Sequence, residues 1–288
     1  MTRRSPHIDR RALFSSAAAA ALLAATGVSA QGAPRQGGKL RMALSGAARS
    51  DTWNSGDGLF MQVARQGVVF DTLTEVAADG TLRQELAIGW TAANDAREWM
   101  FDLRPGVTFH DGMPFTANDV VASLTPHLDA QFEAVTPAQL RITLATAMPS
   151  LPLLLSQPEF VIRPAHAPNT GIGTGLYQVK DFTPGQRLLA TRVPSHYKDG
   201  QAGWFDTIEL TSIPSQTVRG QALREYLVDA ADLNDPALVQ GIPDVVALPD
   251  ARRPAYAVLT DVAQPAQVSH LRPLDNLRGP ERWWFVQG

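Results

Sequence analysis

Residues 90–121 read WTAANDAREWMFDLRPGVTFHDGMPFTANDVV, and no other stretch restricts the fold as tightly. Trp99, Phe101 and Leu103 alternate with Met100 and Asp102, the period-two pattern of a strand with one apolar face. Pro105-Gly106 ends that strand, because proline has no ladder donor and glycine accepts the turn dihedrals. Val107 and Phe109 restart the alternation, which predicts a second short strand, and His110-Asp111-Gly112 turns the chain again. Asp111 is expected to hydrogen-bond the backbone of that turn. His110 is expected to contribute little to stability. Thr116 stands three residues before Asp119, capping-box spacing with Asp in place of Glu, at the head of a helix running to about Leu124. The block is therefore a strand, a tight turn, a strand and a capped helix, with Trp99 as a large buried ring.

The N-terminus reads as a targeting segment rather than as part of the fold. Arg10-Arg11-Ala12-Leu13-Phe14 precedes an Ala-rich run from Ala17 to Ala25, and Val28-Ser29-Ala30 supplies a small-x-small cleavage site. The paired arginines resemble a twin-arginine signal, with a general secretory signal as the alternative. Residues 1–30 are thus expected to be a signal peptide, and the mature chain to begin near Gln31. The apolar run is too short to span a membrane. The whole chain carries a formal charge of −3, and removing four arginines and one aspartate with the signal makes the remainder more acidic. With no basic cluster, nucleic acid is not expected as a partner. The absence of cysteine excludes disulfides, thiolate metal sites, catalytic thiols and a lipid anchor on an N-terminal Cys. A soluble, exported periplasmic protein follows as the expectation.

The rest of the chain carries further segments of the same character. Gly37 to Ala43 reads as a first strand, followed by a polar loop with Ser45, Asp51, Trp53 and Asn54. Leu59 to Phe70 has helical spacing, Ala78-Asp79-Gly80 is a turn, and Gln139 to Ala145 alternates as a strand. Pro149 to Ser156 suggests a short buried helix. Phe205 to Leu210 reads as a strand and Ser215 to Leu227 as an amphipathic helix. Residues 90–121 closely resemble a segment of the family 5 extracellular solute-binding proteins, and Leu82 to Trp90, Gly173-Thr174-Gly175-Leu176-Tyr177, Ser195-His196-Tyr197 and Val228-Asp229-Ala230-Ala231 resemble further segments of it. These are the oligopeptide-, dipeptide- and nickel-binding components of ABC importers. Three departures stand out: Arg83-Gln84-Glu85 where a proline is usual, Leu176 in place of another, and Ser195 near the usual Asn-Pro.

The resemblance implies an α/β fold: lobe I of a periplasmic binding protein (type II, cluster C), with a mixed sheet and a small β-rich subdomain at about 73–124. After Ala231 the family pattern stops, and residues 234–288 are too few for a second lobe. That lobe is read as largely absent, residues 31–288 as a single domain, and 234–288 as a shortened tail folding back onto it. Strand-like runs at Asp244 to Leu248 and Tyr256 to Val262 precede an aromatic cluster, Trp283-Trp284-Phe285. The implied function is reversible, non-covalent capture of a small solute or peptide and its delivery to an ABC permease in the inner membrane. The implied half-cleft is lined by Ser45, Trp53, Asn54, Gly173, Thr174, Gly175 and Tyr177. The surface a second lobe would cover suggests a homodimer or a protein partner as the alternative.

Other chemistries find less support. His110-Asp111 is half of a metal site at most, since zinc or nickel wants three or four convergent ligands and the histidines are scattered. Gly171-Ile172-Gly173-Thr174-Gly175 has the wrong spacing for a dinucleotide loop and precedes a strand rather than a helix. Ser195-His196 lacks a Gly-x-Ser-x-Gly elbow. No catalytic residue, metal site or cofactor is expected. Trp53 in a polar loop is expected to be more exposed than a core Trp and so to line a site, although a Trp capping the core from a loop would read the same way.

Overall fold

A computed structural model describes residues 36–76 and 81–242, and the backbone of Val245–Leu248 and Ala255–Leu259. The N-terminal segment 1–30, the turn at Ala78 to Gly80 and the Trp283-Trp284-Phe285 cluster lie outside the described residues.

A mixed seven-stranded sheet forms the larger half. Its centre is β1 (Lys39–Leu44), which runs parallel to β10 (Thr207–Ser212) on one side and to β11 (Ala230–Leu233) on the other. Beyond β10, the antiparallel strands β9 (Arg187–Arg192) and β8 (Tyr177–Thr183) extend the sheet. Beyond β11, β13 (Ala255–Leu259) and β12 (Val245–Leu248) do the same. Two antiparallel strands, β13 and β12, thus lie beyond the β11 edge.

Register follows the apolar pattern. Leu40 pairs with Ile208 and Met42 with Leu210, and all four are fully buried in the first core. Helix α4 (Gln216–Arg224) packs on β11. Ser215 caps it, its Oγ accepting the Val218 N–H.

A second core belongs to a four-stranded antiparallel sheet in the order β4 (Ala87–Ala93), β5 (Glu98–Leu103), β7 (Gln139–Thr143), β6 (Gln131–Thr136). A two-stranded ribbon of β2 (Thr74–Val76) and β3 (Leu82–Gln84) precedes it. Helix α2 (Ala117–Leu124) and the short α3 (Leu151–Leu154) cover this sheet, and the core draws on residues from Leu73 to Ile162. The alternation at 98–103 is realised: Trp99, Phe101 and Leu103 are buried in β5. The Asp half of the capping box forms, with the Asp119 carboxylate accepting the Thr116 N–H at 2.8 Å and its hydroxyl at 2.9 Å. The other Asp119 oxygen accepts the Ala165 N–H, which ties the head of α2 to the loop that follows the second core.

Two local expectations need correction. Val107 and Phe109 are buried, yet they form no strand; only an isolated bridge joins Thr108 to Pro114. Phe109 N–H donates to Met113 O and Phe115 N–H to Val107 O, but the Met113 N–H turns to the Asp111 carboxylate and Phe109 O takes the Gly112 N–H, so the ladder does not lengthen. The helix at 59–70 is α-helical only at α1 (Leu59–Gln62) and continues as a π-helix over Val63–Val69, with Phe70 N–H bonding Arg65 O. Every residue of that π-helix is buried, so it shows no polar face to solvent. It joins the two cores, since Phe70 belongs to the first and Leu73 to the second.

Candidate functional site

The parallel strands β1, β10 and β11 end at one edge, where open α/β sheets build their ligand crevices. Ser45 follows β1 at that edge, but its hydrogen bonds point inward. Its N–H and hydroxyl donate to the two Asp232 oxygens at 2.8 and 2.7 Å. Asp232 is in turn held by Arg219, a fully buried guanidinium that also donates to Asp232 O, Ile213 O and Pro214 O. Ser45 therefore closes a polar knot that fixes the strand ends to α4.

Trp53 corrects the expectation of an exposed ring. It is 8% exposed and packs edge-on to Phe70 at 5.9 Å and against Phe182 at 4.7 Å. Gly171 lies against the indole so closely that a Cβ there would sit 2.8 Å from the ring. This is the core-capping arrangement. Asn54, by contrast, is exposed and its amide bonds Asn169, which joins the 51–56 loop to the loop before Gly171.

The segment Gly173 to Tyr177 is buried throughout. Its glycines serve backbone contact: a Cβ on Gly173 would lie 2.0 Å from Val69 O, and one on Gly175 2.6 Å from it. Gly175 N–H donates to Val69 O at 2.8 Å. Thr174 Oγ1 donates to Asp71 at 3.0 Å, and the Tyr177 hydroxyl to Phe205 O at 3.0 Å. The structure thus gathers Trp53 and the 173–177 segment around Phe70 and the end of the π-helix, leaves Asn54 at the surface beside them, and engages Ser45 with Asp232.

His110 is also more than a turn residue. Its Nε2 donates to Gly175 O at 2.8 Å and its Nδ1 accepts the Gly173 N–H at 3.2 Å, an arrangement that only the neutral ring satisfies. Burial lowers its pKa from the ordinary 6.5, outweighing the opposing effects of the Gly175 carbonyl and of Asp71. The expectation that His110 contributes little is therefore corrected, because two backbone groups of the buried segment depend on it. His110→Ala is expected to cost on the order of 1–3 kcal/mol for each orphaned group. The unfolded chain binds the proton better than the folded one, so this contribution is complete above the unfolded value and is lost as pH falls below about 6.5 toward the lowered one. Urea melts of parent and His110→Ala at pH 7.5 and 5.5 check both points. A parent-to-variant gap that does not narrow at the lower pH would count against this role. Asp111 behaves as expected, accepting the Met113 N–H at 3.0 Å.

Sequence reasoning missed a buried ionic cluster beside this segment. Lys198 Nζ lies 2.5 Å from Glu85 Oε1, 3.1 Å from Glu75 Oε2 and 4.0 Å from Asp71 Oδ1. All four residues are buried. His196 donates from Nε2 to Thr174 O at 2.9 Å, with Asp71 at 3.6 Å. Burial pushes the Asp71 carboxyl up, but the Lys198 ammonium and the His196 hydrogen bond outweigh it and lower its pKa to about 2. Burial, reinforced by the Asp71 and Glu75 carboxylates, holds the Tyr197 phenol protonated. Arg104 stacks over the Tyr197 ring at 4.6 Å and donates to Glu85 O. Among the described residues, no three His, Asp or Glu side chains are grouped to hold a metal ion.

This architecture has relatives. The profile of "Bacterial extracellular solute-binding proteins, family 5 Middle" matches residues 81–250, more than half of the chain. The chain belongs to that family. It is 27% identical over 192 residues to the "Nickel-binding periplasmic protein" of Escherichia coli K12, a match spanning 58% of this chain and 36% of that one. A 144-residue stretch is 35% identical to the "HTH-type transcriptional regulator SgrR" of Salmonella typhi, covering 44% of this chain and 25% of the regulator. The solved structure of the PBP AgaA from A. tumefaciens R10 in complex with agropinic acid superposes with a TM-score of 0.66 at 26% identity, covering 73% of this chain and 48% of AgaA. The chain thus spans half or less of these relatives' own length. The fold is that of one lobe of a periplasmic binding protein, as the sequence resemblance implied. Among the described residues no helix is long and apolar enough to cross a membrane.

Proposed function

We propose that this protein is an exported substrate-binding component of a peptide/nickel-class ABC importer, capturing a small solute or peptide without making or breaking bonds and passing it to an inner-membrane permease. The observation that carries the reading is the family match across residues 81–250, which spans the four-stranded sheet and most of the strands of the larger one. The signal-like segment 1–30 supports periplasmic placement. The capture face is the carboxyl edge of β1, β10 and β11 with the adjoining 51–57 loop, where Asn54 is exposed and Trp53 backs the loop from the core. In this reading Ser45, Gly173, Thr174, Gly175 and Tyr177 shape the face from behind. Nothing in the proposal requires a cofactor or a catalytic group.

Affinity follows from the single lobe. A closing two-lobed protein buries most of its ligand, whereas one lobe leaves roughly half of it wet. Hydrogen bonds there compete with water and contribute only about 0.5–1.5 kcal/mol each. The expected dissociation constant on a verified monomer is micromolar or weaker, about −8 kcal/mol at best. Thermal-shift screening with peptides, amino acids, opines and chelated metals finds the ligand, and calorimetry measures it. Indifference across the whole panel would defeat solute capture. Nanomolar binding would show that the residues after Asn234 rebuild a second wall.

A second reading draws support from the match to a stretch of a protein named as a transcriptional regulator. The lobe then serves as a protein-interaction module, paired with a second copy or another chain over the open face. Light scattering separates the two readings, because a strict monomer at high concentration that captures solute leaves the second one without support.

A further inference from the structure

Gly173, Thr174 and Gly175 are gripped by two imidazole rings that come from distant parts of the chain. From the 110–112 turn, the His110 N–H donates to Gly173 O at 2.9 Å, its Nε2 to Gly175 O at 2.8 Å, and its Nδ1 accepts the Gly173 N–H at 3.2 Å. From the 196–199 turn, His196 Nε2 donates to Thr174 O at 2.9 Å and its Nδ1 accepts the Lys198 N–H at 3.1 Å. Both rings are therefore the same neutral tautomer, and each Nδ1 lone pair is already in use. A proton on either ring would set a donor against an N–H, that of Gly173 in one case and of Lys198 in the other.

A short run of chain joins this grip to the capture face. Two residues before Gly173, Gly171 presses on the Trp53 indole, and two residues earlier again Asn169 bonds the exposed Asn54 amide. The 51–56 loop thus rests on residues 169–171, and these continue directly into the gripped segment.

The charged groups around the rings come from several elements. Asp71, at the end of the π-helix, lies 3.6 Å from His196 Nε2 and accepts the Thr174 hydroxyl, and Lys198 stands 4.0 Å from it with Glu75 and Glu85 on the same ammonium. Tyr197 stacks on the His196 ring at 4.2 Å with Arg104 over the phenol, and Asp199 accepts the His196 N–H. Asp111, beside His110, accepts from His166 at 2.7 Å. Burial lowers the His110 pKa and a charged His196 lowers it further, while the Gly175 carbonyl, Asp71 and Asp111 oppose them.

We propose that His110 and His196 form one acid-operated latch: protonation frees the Gly173–Gly175 segment, loosens the 51–56 loop and releases the captured solute. This assignment rests on the solute-capture reading and adds its regulation. The closed latch needs two neutral rings, so proton uptake goes with opening. Falling pH then favours the open form, by up to about tenfold per pH unit for each proton taken up. A solute that binds only the closed form leaves with it.

The first part of the test uses the parent protein alone. Ring nitrogen shifts at pH 7.5 should show both histidines protonated at Nε2 only. Between pH 7.5 and 5.5, where circular dichroism still reports a folded chain, the Gly173 and Lys198 amides should lose exchange protection together. The loss expected is at least about tenfold once the intrinsic pH dependence is divided out. Another tautomer at either ring, unchanged protection, or protection lost only with global unfolding overturns the proposal. In the second part, calorimetry follows a solute found by screening, corrected for its own titration. Affinity should fall over the same range, and less steeply in His110→Gln, which keeps a donor for Gly175 O and cannot titrate. If that variant does not fold, His196→Gln replaces it, with a donor for Thr174 O. Equal slopes in parent and variant, or affinity that ignores pH while the amides open, overturns the proposal and leaves solute capture standing. Opening of both amides in a protein indifferent to every solute removes the capture reading and keeps the latch.

Discussion

Lys198→Met is expected to cost about 3–5 kcal/mol of folding stability at pH 7, the usual loss when one partner of a buried ion cluster is removed. Lys198 is 7% exposed, and the carboxylates of Glu85, Asp71 and Glu75 are buried around its ammonium. Methionine keeps most of the volume and removes the charge, so the loss is electrostatic rather than a cavity. The pH dependence identifies the cause. In the parent, Asp71 sits at about 2, below its ordinary 3.8, so its contribution is full above the unfolded value and is lost as pH falls toward 2. Without Lys198, the burial that pushes Asp71 up is opposed only by His196 and Tyr197. The carboxyl then titrates higher than in the parent, so the parent-to-variant gap narrows as pH falls. Urea unfolding at pH 7 and pH 4.5 should show a smaller parent-to-variant gap at the lower pH. A gap that is absent at pH 7, or unchanged between the two, would mean that the cluster is not held by this ion.

That cluster could not have been read from the sequence, and the reason is distance along the chain. Lys198 meets Glu85 across 113 residues and Glu75 across 123, and no local pattern links such positions. What was legible is what local physics sets. The alternation of Trp99, Phe101 and Leu103 became β5, the Thr116–Asp119 spacing became a cap on α2, and the strand read at Phe205 to Leu210 became β10 (Thr207–Ser212) beside β1. The short alternation at 107–109 failed because the turn uses the groups a ladder needs: Met113 N–H bonds Asp111 and Phe109 O accepts the Gly112 N–H. The 173–177 segment is ambiguous in sequence for a different reason. Glycine-rich, polar Gly173 to Tyr177 looks like a ligand loop, yet the same small residues are what a backbone needs to press against Val68 and Val69. Sequence cannot tell close approach to a ligand from close approach to another segment of the same chain.

Trp99→Ala should lower stability by about 3–5 kcal/mol while leaving any solute affinity of the folded protein unchanged. The ring is 6% exposed in the second core and stacks on Phe101 at 6.2 Å. Its strand is interior to the four-stranded sheet, where Trp99 pairs with Ala92 on one side and Ile142 on the other, so no edge can relax into the cavity. The indole has a second task. The turn from β4 to β5 places three successive residues, Asn94, Asp95 and Ala96, at positive φ, and alanine has no side-chain bond to offset that conformation. Trp99 Nε1 donates to Ala96 O at 3.2 Å, and Met148 N–H donates to the same oxygen. The ring therefore fills the core and secures the turn. Trp99→Phe separates these tasks: it keeps most of the packing and loses the N–H, so it should cost about 0.5–1.5 kcal/mol for the hydrogen bond plus a smaller cavity term. Denaturant melts of the two variants, paired with calorimetry below their transitions, make the comparison. If Trp99→Ala folded normally but bound solute at least tenfold more weakly, this ring would belong to the ligand face, and the second core would have lost its anchor in the argument.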